Sequence, residues 1–309
     1  MLVNLNDVLL PARRGKYAVG LFDTVSLEMA RGVIEAAEAQ NSPVIIGTAE
    51  VLLPYAPLEE LSYFLLPMAK KAAVPVVVHL DHGLTAEICH KALELGFSSI
   101  MYDCSTASYD ENVRRVREMT GIAHAAGASI EAELGHVGDN EGSAEGSSHL
   151  EDPSAYYTQP SQAIDFVRQT GVDALAIAVG SAHGAYKLPP KLDFQRIREI
   201  AGSIPTPLVL HGGSGLTDDD FKMAIEAGIS KVNIFTDINV KAIEEVLRSF
   251  SSVDRGIIDL IPHQVAAIRE AVIEKMRLFG ACAKGGGPGA HEREIRSIVE
   301  EVVKQIKGV

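Results

Sequence analysis

Three histidines stand at the ends of apolar runs: His82 in "VVVHLDHG", His183 in "LAIAVGSAHGAY" and His211 in "PLVLHGGSG". Each is followed by glycine, which lets the backbone turn or approach another segment closely. Three neutral imidazoles around one zinc ion leave a coordination position open. That is the pattern of catalytic rather than structural zinc, and such an ion polarises a carbonyl oxygen as a Lewis acid. A lone histidine at a strand end is more often structural, but three at corresponding ends point to a shared metal site. They meet only if their runs are parallel strands with their carboxyl ends at one mouth, as in an α/β barrel.

Carboxylates occupy matching places. Asp81 precedes His82, Asp103 closes "SSIMYD", and Glu131 and Glu133 lie two apart in "ASIEAEL", hence on one face of a strand. A carboxylate pointing into a barrel needs a metal, a cation or hydrogen bonds. Neighbouring residues of an extended strand point oppositely, so Asp81 and His82 both face the mouth only if the backbone turns at the tip. His79, two residues before Asp81, is expected to point inward, either as a packed residue or as one that supports a metal ligand from behind. Glu141, in a polar loop, is a candidate mobile base.

Eight β-rich runs alternate with helical stretches: "KYAVGLF", "PVIIGT", "PVVVHLD", "SSIMYD", "ASIEAEL", "DALAIAVG", "TPLVLHG" and "SKVNIF". Continuously apolar strands separated by helices imply parallel pairing with both faces covered. Eight such units predict a (β/α)8 TIM barrel of α/β class with extra C-terminal helices, as one domain over residues 1–309. Apolar spacing predicts helices over Leu27–Gln40, Leu58–Ala73, Ala86–Leu95, Asp110–Ala126 and Asp237–Phe250, with Ser26 and Thr85 as N-caps. The Gly/Ser-rich segment from about 135 to 160 exceeds a normal βα connection and reads as an active-site lid. The helical extension from about 255 to 309 either closes the barrel floor or packs on a partner subunit.

A formal charge of −13 with 28 basic residues leaves no electrostatic footprint for nucleic acid. No apolar run reaches the roughly 18 residues that span a bilayer, and the N-terminal stretch lacks a secretory pattern, so no membrane partner is expected. Cys89, Cys104 and Cys282 form neither a disulfide framework nor a cysteine zinc cage, consistent with a reducing cytoplasm. In an acidic chain a bound phosphate must be held locally. "LHGGSGLT" after the seventh strand and "KVNIFTD" at the eighth supply the backbone amides, with Gly212, Gly213, Ser214 and Gly215 allowing close approach.

Taken together, "VHLDHG", "SIMYDCS", "IEAELGHVGDNEG", "VGSAHGAY", "LVLHGGSGL", "KVNIFTD" and "KMRLFGACAKG" resemble the class II, zinc-dependent ketose-bisphosphate aldolases, over nearly the whole length. The resemblance implies aldol chemistry in carbohydrate metabolism on a sugar phosphate, in a homodimer or homotetramer. It implies zinc on His82, His183 and His211, with Asp103 and Glu133 holding an alternative or second divalent ion. Asp81 matches the proton donor to the aldehyde oxygen and Glu141 the base that deprotonates the ketone. Gly184, Gly212, Ser214 and Thr236 match the cradle for dihydroxyacetone phosphate, and Asn233 a substrate contact. The backbone around Ala182, Gly184 and Gly212 matches a monovalent cation site for Na+ or K+.

Departures from the family pattern fall in one half of the pocket. Asp23 follows Phe22 where asparagine is usual, Ala49 replaces a phosphate-binding serine, and Phe235 is bulkier than the family's residue. The Asp-Pro-Arg motif gives way to "SVDRGIIDLIP", where Arg255 aligns only with a shift. Fewer charge-assisted bonds and an added carboxylate disfavour a second phosphate. The expected acceptor aldehyde is therefore not glyceraldehyde 3-phosphate, and one with hydroxyls or an amine suits Asp23 better. Competing readings are a zinc-dependent barrel hydrolase or epimerase, and a non-catalytic barrel that binds sugar phosphate. The former carries a His-x-His pair on its first strand, which "YAVGLFD" lacks.

Overall fold

The structure is a computed structural model describing residues 1–137, 156–182, 190–252 and 254–286. Its elements run α1 (Leu5–Gly15), β1 (Val19–Asp23), α2 (Leu27–Gln40), β2 (Val44–Ala49), α3 (Leu58–Lys71), β3 (Val76–Gly83), α4 (Ala86–Leu95) and β4 (Ser99–Tyr102). They continue as α5 (Tyr109–Ala125), β5 (Ser129–Leu134), α6 (Pro160–Thr170), β6 (Ala174–Ile177), α7 (Phe194–Ser203) and β7 (Leu208–Leu210). The last are α8 (Asp218–Ala227), β8 (Ile229–Ile234), α9 (Thr236–Ser249) and α10 (Ile257–Leu278). The strands pair in parallel in chain order and close through β1 and β8. This is the (β/α)8 barrel expected from the eight runs.

The helices start where short polar side chains can satisfy free backbone amides. Ser26 accepts from the Met29 amide and Thr85 from the Ile88 amide, while Thr217 and Asp220 cap α8 reciprocally. Alternation along each strand then sorts residues into an outer layer under the helices and an inner one. The inner positions of β1, β2, β3, β4, β6 and β7 include Val19, Leu21, Ile45, Val77, Met101, Ala174, Ala176 and Val209. They form one apolar cluster in the lower barrel. Gly47 belongs to the same inward series. A Cβ there would drive into the His79 carbonyl, so glycine is what lets β2 and β3 lie as they do.

The floor is closed by α1. Leu5, Val8, Leu9 and Ala12 of α1 complete the lower cluster, and α1 is locked in place by polar contacts at both ends. The Leu5 amide donates to Ser129 Oγ at 2.9 Å, and Arg13 Nη2 donates to the Ala201 and Ile204 carbonyls, each at 2.7 Å. Of the C-terminal helices, α10 packs against α2 and α9 on the flank. Residues 287–309 lie outside the described residues, as do 138–155 of the expected lid. Among the described residues, no helix is long and apolar enough to cross a membrane, and the three cysteines are free thiols.

Candidate active site

Continuing the inward series upward changes its chemistry. Above the apolar layer come His79, Glu131 and Lys231, all fully buried, and above them Asp23, Asp81, Glu133, His211 and Asn233, each at most 9% exposed. The period of two that puts Leu21 inside also puts Asp23 inside, and the one that places Glu131 places Glu133. The carboxyl ends of the strands therefore gather charged groups at one mouth, over an apolar base.

His82 breaks the alternation usefully. Its φ is +38°, a left-handed conformation rare outside glycine and worth of order 1–3 kcal/mol of strain. Pairing with β4 shifts register between Leu80 and Gly83. The strand tip thus turns as the sequence required, and both Asp81 and His82 face the mouth. There His82 Nδ1 lies 2.8 Å from Asp103 Oδ2, while its Nε2 lies 2.7 Å from His211 Nδ1. His211 Nε2 meets Glu131 Oε1 at 2.8 Å. Asn233 Nδ2 donates to both oxygens of Asp81 at 3.0 Å and lies 3.5 Å from His211 Nδ1.

Donor atoms of Asp81, His82 and His211 all fall within 4.8 Å of one another, as do those of His82, Asp103 and Glu133. These sets fit a divalent metal. Two imidazole nitrogens at 2.7 Å need a proton or a cation between their lone pairs, and mixed imidazole and carboxylate donors suit zinc. A third set, His79, Asp81 and Glu131, has the same spacing, but Lys231 Nζ stands 2.8 Å from Glu131 Oε2 and already supplies the positive charge there. Asp103 also accepts from the Ser105 amide at 2.9 Å, and Glu133 Oε1 from the Val137 amide at 2.9 Å.

The electrostatics follow from burial and crowding. Burial alone would push His82 down, but Asp81, Asp103 and Glu133 outweigh it and hold the imidazolium up to about 10. Burial first, then repulsion from Asp103, raises Glu133 to about 8 despite His82. Asp23 is raised well above the usual carboxylate range by burial and then by Asp81. In all three cases the folded, metal-free protein holds protons that the unfolded chain has released, so folding stability falls as pH rises. For His82 the loss runs from about 6.5 to about 10, and for Glu133 from about 4.5 to about 8. Calorimetry in chelator should therefore give a lower melting temperature at pH 9 than at pH 6.5. A higher one would show that these groups are not charged as the geometry requires.

The expected phosphate side lies across the mouth. Gly212, at φ +66°, packs so tightly on Ala182 that a Cβ would overlap its carbonyl, and Gly213 is similarly close to the Asn233 carbonyl. Ser214 is buried, Thr236 opens α9, and half-buried Phe235 packs against the core just before it. Thus Gly212, Ser214, Asn233, Phe235 and Thr236 come together. His183, Gly184 and Glu141 lie outside the described residues. Arg255 is exposed and pairs with Asp259 of its own chain at 2.6 Å, at the start of α10. Sequence reasoning did not single out Lys231. The signal was available, since it lies two residues before Asn233 and so shares its inward face.

A closed parallel barrel with imidazoles and carboxylates gathered at the carboxyl ends of its strands is the architecture of a barrel enzyme, with groups at its mouth that could hold a metal ion. The profile of the class-II fructose-bisphosphate aldolase family matches residues 3–284, and the chain belongs to that family, whose members are carbon–carbon lyases. It is 39% identical to the Escherichia coli protein YdjI over 269 residues, 87% of this chain and 94% of that one. It is 38% identical to the fructose-bisphosphate aldolase of Geobacillus stearothermophilus over 296 residues, covering 92% and 98%. The crystal structure of the Escherichia coli YdjI aldolase superposes with a TM-score of 0.83 at 36% identity, covering 93% of this chain and all of that one.

Proposed function

We propose that this protein catalyses reversible aldol cleavage of a ketose phosphate to dihydroxyacetone phosphate and an aldehyde. The observation that carries the reading is the convergence of His82, His211, Asp81 and Asn233 at one mouth, beside the Gly212–Ser214 turn. A zinc ion on His82, His211 and, by family resemblance, His183 would supply Lewis-acid polarisation of the ketone oxygen. The backbone of Gly212 and Ser214, with Thr236 at the amino end of α9, would hold the phosphate. Gly184 joins this cradle on the resemblance.

In the condensation direction Glu141 removes a proton from the carbon next to the ketone, leaving an enediolate, which attacks the aldehyde carbon. Asp81 gives its proton to the new alkoxide. In cleavage Asp81 takes that proton back and the carbon–carbon bond breaks. Asn233, bound to both Asp81 oxygens, keeps that carboxyl aimed at the reacting oxygen. Asp103 orients His82 through Nδ1 and, with Glu133, offers a second divalent site; the backbone of Ala182 and Gly212 offers one for Na+ or K+. With the family the reading also takes a single barrel domain over 1–309, a homodimer or homotetramer, and a cytoplasmic role in carbohydrate metabolism such as glycolysis.

The deciding experiment is exchange of the dihydroxyacetone phosphate methylene hydrogen with deuterated solvent, followed by proton NMR. Stereospecific exchange lost on chelation and in Glu141→Gln is expected. No exchange from folded, zinc-loaded protein would remove the aldolase reading.

The acceptor follows from Asp23. Its carboxyl is 5% exposed beside Asp81, with Oδ1 free of any hydrogen bond. A phosphate dianion brought there meets the negative charge that the Asp23–Asp81 pair retains even with Asp23 protonated, whereas a hydroxyl or ammonium group donates to the open oxygen. Fructose 1,6-bisphosphate should therefore be cleaved with kcat/KM at least about 10²-fold below the best ketose 1-phosphate, since about 1.4 kcal/mol is tenfold. Equal efficiency would refute this assignment.

A further inference from the structure

The layer beneath the mouth holds an ion pair that the aldol steps do not use. Glu131 and Lys231 are fully buried, with Oε2 and Nζ 2.8 Å apart. The approach is off-axis for a hydrogen bond, and both atoms lack one, so the pair is held by charge. A buried ion pair is weak evidence for stability, because desolvation offsets most of the attraction, and apolar residues of the same volume often serve as well. Its presence in the barrel interior, beside His79 and above an apolar layer, asks for another use.

The second oxygen of Glu131 supplies one, standing 2.8 Å from His211 Nε2. A carboxylate only accepts, so this contact is favourable only when Nε2 carries the hydrogen, and that leaves the lone pair on Nδ1. Nδ1 is the atom turned to the mouth, 2.7 Å from His82 Nε2. On His82 the polarity is reversed: Asp103 takes Nδ1 and leaves Nε2 inward. Fully buried His79 lies beside the pair, its Nε2 4.0 Å from Glu131 Oε2, and its Nδ1 is engaged by Ser99 Oγ at 2.8 Å.

We infer that Glu131 is a positioning residue that locks His211 in the tautomer able to bind metal through Nδ1, and that Lys231 keeps Glu131 an acceptor by balancing its charge. The inference rests on the metal site of the proposed function but not on its aldol chemistry.

Paired substitutions avoid stranding one buried charge. In Glu131→Leu/Lys231→Met the acceptor is lost, whereas in Glu131→Gln/Lys231→Met a neutral acceptor remains. Zinc dissociation constants measured by competition with a metal buffer should rise about 10–100-fold in the first, as for lost outer-shell partners, and less than tenfold in the second. Melting of the metal-free forms reports whether each variant folds. A folded leucine variant with wild-type zinc affinity would overturn the inference. Should neither variant fold, nitrogen-15 NMR of ring-labelled histidines in metal-free wild-type protein decides. His211 protonated on Nε2 supports the inference, and His211 protonated only on Nδ1 overturns it. Wild-type protein that binds no zinc would sink the metal reading, while the tautomer would still report on Glu131.

Discussion

Asp81→Ala should slow carbon–carbon cleavage by about 10²–10⁴-fold, the usual worth of a positioned general acid or base, while zinc stoichiometry stays at the wild-type value. The carboxyl is 3% exposed and bound by Asn233 through both oxygens, so it is held in one orientation at the mouth. Alanine removes the group that exchanges the proton with the substrate oxygen but leaves both imidazoles. Exchange of the dihydroxyacetone phosphate hydrogen, assigned to Glu141, should persist in the variant. That split between half-reactions is the diagnostic outcome. Asp81 also sits within coordinating distance of the two histidines. Loss of zinc in parallel with activity would make it a ligand and remove it as the proton donor.

His82→Ala should have the larger consequence, abolishing exchange and cleavage together. Lewis-acid stabilisation is worth several kcal/mol, so each rate should fall by at least about 10³-fold, and chelation of the wild type should reproduce the effect. Its ring links Asp103 on one side to His211 on the other. Removing it takes away a donor and strands Asp103, whose carboxyl is lowered, against its own burial, by the His82 contact. Metal bound only to the folded form stabilises by about 2.7 kcal/mol at a hundred times its dissociation constant. Chelation should thus lower the wild-type melting temperature but leave that of His82→Ala unchanged. A zinc-dependent shift of equal size in the variant would place the metal elsewhere.

Most of the barrel was legible because its strands are apolar runs and its helices begin at recognisable caps. Leu27–Gln40 and Ala86–Leu95 are found with the bounds expected from spacing. The N-terminal helix was not expected. Pro11 sits inside it and reads locally as a breaker, yet Asn4 and Asp7 form a capping box that marked its start. Tertiary burial of Leu5, Val8, Leu9 and Ala12 overrides the proline.

At the site, the strand-end residues Asp81, His82, Asp103, Glu133 and His211 could be named from type and position alone. The requirement that an inward Glu131 find a cation was also legible. Its partner was only half legible: spacing from Asn233 puts Lys231 on the inward face, but closure of the barrel, which brings β8 and β5 into one interior, is what pairs it with Glu131. The unusual backbone of His82 likewise depends on the register shift against β4, which local sequence does not encode.

The plug formed by α1 separates two kinds of failure. Among the described residues, those that touch substrate in the proposed scheme lie at the carboxyl ends of the strands, while Leu5, Leu9 and Arg13 secure the opposite end, across the full depth of a packed interior. Wear at the two ends should therefore show in different instruments. A lesion under the barrel shortens the working life of each molecule at elevated temperature and leaves its turnover intact while it lasts. One at the rim leaves a durable protein that is slow.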